Sequence, residues 1–148
     1  MIYIASDHAG FQLKKYLTRY LKAQLKRGFE DLGPAEYNKD DDFPDFSAKV
    51  AKKVAGKKEA LGILICGSGQ GVCITANKFK GIRAILGYSI EAAELARKHD
   101  HANVLCLAGR VLSNEHAIAI VKTFLETEPK PDERYVRRIE KIKKIEES

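Results

Sequence analysis

The run LGILICGSGQG, Leu61 to Gly71, constrains the fold most. Its first half, Leu61 to Cys66, carries no charged or strongly polar side chain. A strand apolar on both alternating faces is buried on both, which happens in a parallel sheet covered by helices on two sides. A thiol ends the run, and Gly67, Gly69 and Gly71 follow at alternate positions, with Ser68 and Gln70 between them. A helix is expected directly after, from Gln70 to Lys80.

The rest of the chain repeats this alternation. Ile2 to Ser6 is a short apolar run. Leu13, Leu17, Leu21 and Leu25 then recur every four residues and predict a helix from Phe11 to Arg27, ended by Gly28. Phe29 to Leu32 is a candidate strand. Pro44 suits the first turn of a helix carrying Phe46, Val50 and Val54. Ile82 to Gly87 reads as a strand, Ile90 to His99 as a helix and Val104 to Ala108 as a strand. Ser113 caps a helix from Asn114 to Glu126. Pro129 and Pro131 interrupt the chain, and a charged helix spans about 132–146. Strands alternating with helices predict βαβ units in one α/β domain over residues 1–148. The terminal helix places Ile139, Ile142 and Ile145 every third residue, a stripe that must cover the domain or another subunit.

Composition narrows the function. Of the 148 residues, 45% are apolar and 31% charged, which fits a folded globular chain and not a disordered one. No apolar run approaches the roughly 18 residues needed to span a bilayer. The N-terminal MIYIASDHAG has no signal-peptide pattern, so a cytoplasmic location and no membrane partner are expected. The three cysteines, Cys66, Cys73 and Cys106, form no CxxC pair, against a disulfide framework or a structural zinc. The net charge of +6 suits nucleic acid or a small anionic substrate. The lysines at 14, 15, 22 and 26 read as solvated helix faces, and no zinc-finger, RNP or KH pattern is present, so nucleic acid is not expected.

Ligands of open parallel sheets bind beyond the C-terminal strand ends. Reactive residue types follow the predicted strands: Asp7 and His8 after the first, Cys66 and the glycine loop after the third, Gly109 and Arg110 after the last. His99 and Asp100, at the end of the helix after the fourth strand, are expected at the same edge. The glycine loop has three open readings: a nucleotide-phosphate loop, a structural turn, and an anion cradle beside a catalytic thiol. The spacing is GxGxG and not GxGxxG, and no Walker lysine follows. As a cradle, its amides would hold an enolate-like oxygen, while the helix start favours the thiolate. Ser68 would hydrogen-bond the thiol or relay its proton. Asp7, His8, His99 and His101 do not match a zincin spacing, and no metal is expected. Arg134 and Arg138, four apart, share one helix face and can clamp a phosphate.

Together SDHAG (6–10), DFPDF (42–46), ICGSGQGVCITANK (65–78), GIRA (81–84), HDHANVL (99–105), AGR (108–110) and the paired arginines resemble ribose-5-phosphate isomerase B and its allose- and galactose-6-phosphate relatives. The resemblance is collinear over nearly the whole chain. It implies a five-stranded, parallel, Rossmann-like sheet in a three-layer α/β/α sandwich. It also implies an aldose–ketose isomerase of the pentose phosphate pathway, a homodimer (or tetramer) with shared active sites, and no cofactor. By the same resemblance Cys66 is the base and His99 helps open the sugar ring. Asp7 and His8 touch substrate, and the amides of Gly67, Gly69, Gln70 and Gly71 form the anion hole. Arg110, Arg134 and Arg138 meet the phosphate. Three residues depart from the family pattern: Phe43 stands for a common Tyr, Asp100 for Asn and Tyr135 for His. The rival functions are isomerisation of a six-carbon sugar phosphate and non-catalytic binding of a sugar phosphate.

Overall fold

The computed structural model describes residues 1–24 and 28–148. Five strands, β1 (Ile2–Ser6), β2 (Phe29–Asp31), β3 (Leu61–Cys66), β4 (Ala84–Leu86) and β5 (Val104–Ala108), form one sheet in the order β2-β1-β3-β5-β4. Every pairing is parallel, with Ser6 opposite Ile65 and Cys66 opposite Ala108. Among the described residues six α-helices accompany it: α1 (Phe11–Gln24), α2 (Phe43–Val54), α3 (Gln70–Ala76), α4 (Ile90–Asp100), α5 (Asn114–Glu126) and α6 (Glu133–Glu147).

Strand alternation divides the apolar side chains between two cores. Ile63 and Ile65 face α1, α4 and α5, where Leu17, Ala93, Ile120 and Phe124 are buried. Leu64 and Cys66 face α2 and α3, beside Val50, Val54, Val72 and Ala76. The LGILIC strand is therefore covered on both faces, as its uninterrupted apolar sequence requires. The chain leaves β1 through α1 toward β2, then returns through α2 to β3 on the other side of β1. The topological switch point falls between β1 and β3, so the ligand crevice lies beyond Ser6 and Cys66.

Several boundaries differ from expectation, each for a local reason. α3 stops at Ala76 because Asn77 turns its side chain to the next strand. Its Oδ1 accepts from the Ala84 amide at 2.8 Å and its Nδ2 donates to the Ala84 carbonyl at 2.9 Å. β4 begins only at Ala84, since the Arg83 amide donates to Asn103 Oδ1 at 2.8 Å instead of to a strand. α1 is described to Gln24; the remainder of its expected span, with Leu25 and Lys26, lies outside the described residues. Lys14 is not a solvated lysine. It is 2% exposed, and its Nζ donates to Asp31 Oδ1 and Oδ2 at 2.8 and 2.9 Å and to the Pro34 carbonyl at 2.7 Å. A buried ammonium demands such pairing, which Asp31 and the Pro34 carbonyl supply.

The isoleucine stripe of α6 is divided. Tyr135 and Ile139 are buried against the domain, while Val136, Ile142 and Ile145 stay exposed, Ile145 at 74%. No helix among the described residues is long and apolar enough to cross a membrane.

Candidate active site

Three loops converge at the switch point. The first, after β1, is a 3₁₀ turn, His8–Gly10, capped by Asp7, whose Oδ1 accepts from the Gly10 amide at 3.1 Å. The Asp7 amide donates to the Ile65 carbonyl at 3.2 Å, tying this turn to the end of β3. The third, after β5, is held to the second by two backbone bonds. The Gly109 amide donates to the Cys66 carbonyl at 2.8 Å, and the Arg110 amide to the Gly67 carbonyl at 3.1 Å. The sheet register thus sets Asp7, His8, Cys66 and Arg110 around one glycine loop.

Cys66 closes β3, 5% exposed. The loop beyond it depends on missing side chains. A Cβ on Gly67 would stand 3.2 Å from Arg110 Nη1, so its absence lets the guanidinium lie against the loop. Gly69 has φ +77°, and a Cβ there would stand 2.6 Å from Leu86 Cδ1 and 2.9 Å from the Leu107 carbonyl carbon. Gly69→Ala is accordingly expected to cost about 2 kcal/mol or more, from left-handed strain plus a backbone clash. Chemical denaturation of the variant against the parent measures that loss. Gly69 is also the N-cap of α3, so the first amides of that helix open toward the crevice. Ser68 Oγ accepts from the Gln70 amide at 3.4 Å, a long bond that leaves the exposed hydroxyl able to turn.

His8 is fixed by a residue that sequence reasoning did not select. Asp41 Oδ1 accepts from the His8 amide at 2.9 Å and pairs with His8 Nδ1 at 2.8 Å. That bond, more than anything else, holds the His8 pKa above the ordinary imidazole value; partial burial opposes it, the charges of Asp7 and Asp41 reinforce it, and Arg110 counteracts it. Donor atoms of Asp7, His8 and Asp41 lie within 4.8 Å of one another, a spacing a cation could share. The Asp7 and Asp41 Oδ1 atoms are already taken by protein donors, so the arrangement is a hydrogen-bonded one as it stands.

His99 and Asp100 are not at this edge. α4 runs back antiparallel to the strands, so its C-terminal end reaches the N-terminal edge of the sheet. There the Arg83 Nε donates to the carbonyls of Asp100 and His101 at 3.0 and 3.1 Å. His101 also lines a recess of about 640 Å³ with Met1 and Leu61, where β1 and β3 begin. At roughly 3.3 Å per residue, a six-residue strand separates the two edges by about 17 Å. His99 stacks on Tyr135, ring centroids 4.5 Å apart and planes 20° from parallel. The Arg134 guanidinium lies over the Tyr135 ring, 4.9 Å from its centroid, and its Nη2 donates to the hydroxyl at 3.0 Å. Within one chain the nominated residues therefore form two groups. Asp7, His8, Cys66, the 67–71 loop and Arg110 form one; His99, Asp100 and Arg134 form the other, with Arg138 exposed one turn further along α6.

The model of the ribose/galactose isomerase family matches residues 2–142. The chain belongs to that family. Within the ribose/galactose isomerases, a probable ribose-5-phosphate isomerase B of Mycoplasma genitalium is 48% identical over 142 residues, 95% of this chain and 92% of the relative. The crystal structure of ribose-5-phosphate isomerase B from Mycoplasma genitalium with bound ribulose 5-phosphate superimposes with a TM-score of 0.94 at 47% identity, covering 99% of this chain and 96% of that one. The enzyme of that name from Thermotoga maritima superimposes at 0.90 with 42% identity, covering 97% of each chain. For a ribose/galactose isomerase, two positions beside the loop make contacts that the sequence does not show, although Phe43 is marked there as a departure from the family pattern. One is Asp41, within an acidic run that reads as a solvated loop. The other is Phe43, whose ring stands 2.6 Å from where a Cβ on Gly71 would be and so lines the cradle with carbon.

Proposed function

We propose that this protein interconverts ribose 5-phosphate and ribulose 5-phosphate in the cytoplasm, as a step of the pentose phosphate pathway. The observation that carries the reading is the placement of Cys66 at the switch point, with backbone amides on one side and Arg110 and His8 beside them. The relative bound to ribulose 5-phosphate, at 47% identity, supports the choice of sugar.

The chemistry follows from that placement. Cys66 as thiolate takes the C2 proton of the open-chain aldose, and the electron pair moves through C1 to the carbonyl oxygen. The amides from Gly67 to Gly71 hold the resulting enediolate charge, stabilisation that grows as the transition state is approached. A proton passes from O2 to O1, with Ser68 as the hydroxyl placed to carry it. Cys66 then returns its proton to C1 and the ketose is formed. Cys66 ends the cycle in the protonation state in which it began, the proton it holds can trade with solvent meanwhile, and no redox partner is consumed. α3 is only two turns long, but a helix terminus acts through its first amides, so its length matters little. Asp7 binds substrate beside His8, while Arg110 meets the phosphate.

We assign the second group, His99, Asp100, Arg134 and Arg138, to the site of a partner copy in a homodimer. His99 lies at the wrong edge to serve its own Cys66, and the exposed Val136, Ile142 and Ile145 give α6 an apolar face to bury. In that arrangement His99 assists ring opening and the two arginines complete the phosphate anchor. Asp100 enters with the Arg83 guanidinium close to its own carbonyl, a cation that moderates its charge. Arg134→Ala is expected to raise KM for ribose 5-phosphate about tenfold or more with a smaller change in kcat, the loss of a charged hydrogen bond made in both ground and transition states. An unchanged KM removes Arg134 from the anchor.

A panel of ribose 5-phosphate, allose 6-phosphate and galactose 6-phosphate, followed for ketose formation, tests the function. Fastest turnover of the pentose is expected. Preference for a six-carbon sugar would reassign the substrate, with Phe43 and Asp100 as the residues to examine. No ketose from any of them, with binding retained, would make the protein a binding module.

A further inference from the structure

We propose that Asp41 is a positioning residue that fixes the His8 imidazole so that Nε2 is presented to the anionic end of the bound sugar phosphate. The inference rests on the isomerase reading above and adds to it a residue from outside the three converging loops. Asp41 Oδ1 engages His8 twice, at the backbone amide (2.9 Å) and at Nδ1 (2.8 Å). A two-point hold on one residue sets both its backbone turn and its ring rotation. With Nδ1 turned inward to the carboxylate, Nε2 is the polar atom left on the opposite side of the ring. Exposure agrees with this direction: the Asp41 side chain is 8% exposed and that of His8 26%.

The carboxylate is also short of other partners. Asp41 Oδ2 is buried without a hydrogen-bond partner among the described residues. A desolvated carboxylate places its charge on whatever cation is in reach, here the imidazole. The groups facing His8 are Asp41 and Asp7 as anions, Arg110 as a cation, and the ring of Tyr37 edge-on at 6.3 Å. The two carboxylates outweigh the guanidinium. An imidazolium donates Nε2–H to a phosphate oxygen; a neutral ring protonated at Nδ1 would offer that oxygen a lone pair instead. Asp41 selects the donating form and aims it. His8 and Arg110 then receive the phosphate together beside the glycine loop.

Asp41→Asn tests this, because the amide keeps the size and one acceptor while losing the charge. Expected are a rise of about tenfold or more in KM for ribose 5-phosphate, with kcat within about twofold, and an equal weakening of inorganic phosphate binding measured by calorimetry. In ¹⁵N-histidine spectra recorded across a pH series, the His8 imidazolium-to-neutral transition should fall at lower pH in the variant than in the parent, because the carboxylate that raises it is gone. Asp41→Glu should recover part of the KM. Unchanged KM and phosphate affinity in Asp41→Asn, or a fall in kcat at constant KM, would overturn the assignment. Phosphate calorimetry and the His8 spectrum do not depend on turnover, so they decide the Asp41 role even if the parent proves not to isomerise ribose 5-phosphate.

Discussion

Cys66→Ala is expected to fold like the parent and to lose turnover of ribose 5-phosphate by about 10³-fold, within the 10²–10⁴ range for removing a general base. The substitution deletes one sulfur atom from a side chain that is 5% exposed, and the structural cost should be about 1 kcal/mol. Thermal melting and circular dichroism therefore stay near those of the parent while kcat collapses. Exchange of solvent deuterium into C2 of the sugar should collapse with it, since the base performs both. The other thiols serve as controls. Cys106 is 0% exposed on β5, and burial pushes its thiol well above the ordinary range, so it cannot act as a base. Cys73 donates its Sγ hydrogen to the Ala84 carbonyl at 3.4 Å, away from the glycine loop. Cys73→Ala and Cys106→Ala should keep turnover. A Cys66→Ala enzyme with near-parental kcat would move the base elsewhere.

The second large effect concerns assembly. His99→Ala alone is expected to lower kcat on ring-form ribose 5-phosphate about 10²-fold, as loss of acid–base assistance does. Mixed with Cys66→Ala under conditions that exchange subunits, two nearly inactive proteins should regain about a quarter of parental activity, because random pairing in a two-fold dimer makes half the molecules hybrids and leaves one intact site in each hybrid. The physical ground is the about 17 Å of sheet between the two groups of one chain. Recovery is possible only if the His99 of one copy serves the Cys66 of the other. Mixtures that stay inactive despite subunit exchange, verified by two affinity tags, would return each site to a single chain.

The parts of the fold legible in the sequence were those decided over a few neighbouring residues. Val104–Ala108 and Asn114–Glu126 have the boundaries read from them, because an apolar run and the Ser113 cap, whose Oγ accepts from the His116 amide at 3.1 Å, are local signals. α3 and β4 were less legible. Their limits depend on Asn77 and Asn103, side chains that bond backbone across the fold. Lys14 read as a surface lysine because its partners Asp31 and Pro34 are 17 and 20 residues away. Asp41 was unreadable for the same reason, 33 residues from His8 in a run of acids that looks solvated.

For the site, the sequence by itself determined the glycine loop and the thiol at its start, since these are contiguous and obey local rules of strand burial and helix initiation. It also determined the parallel sheet, because LGILIC admits no solvated face. Only the tertiary structure decided which reactive residues meet. Strand ends that carry Asp7, His8, Cys66 and Arg110 are brought together by parallel register, whereas the helix that carries His99 returns against the strands and delivers it to the opposite edge. Proximity in a folded chain is set by the direction of each element, and the direction of α4 relative to the sheet is a property of packing that no short stretch of sequence contains.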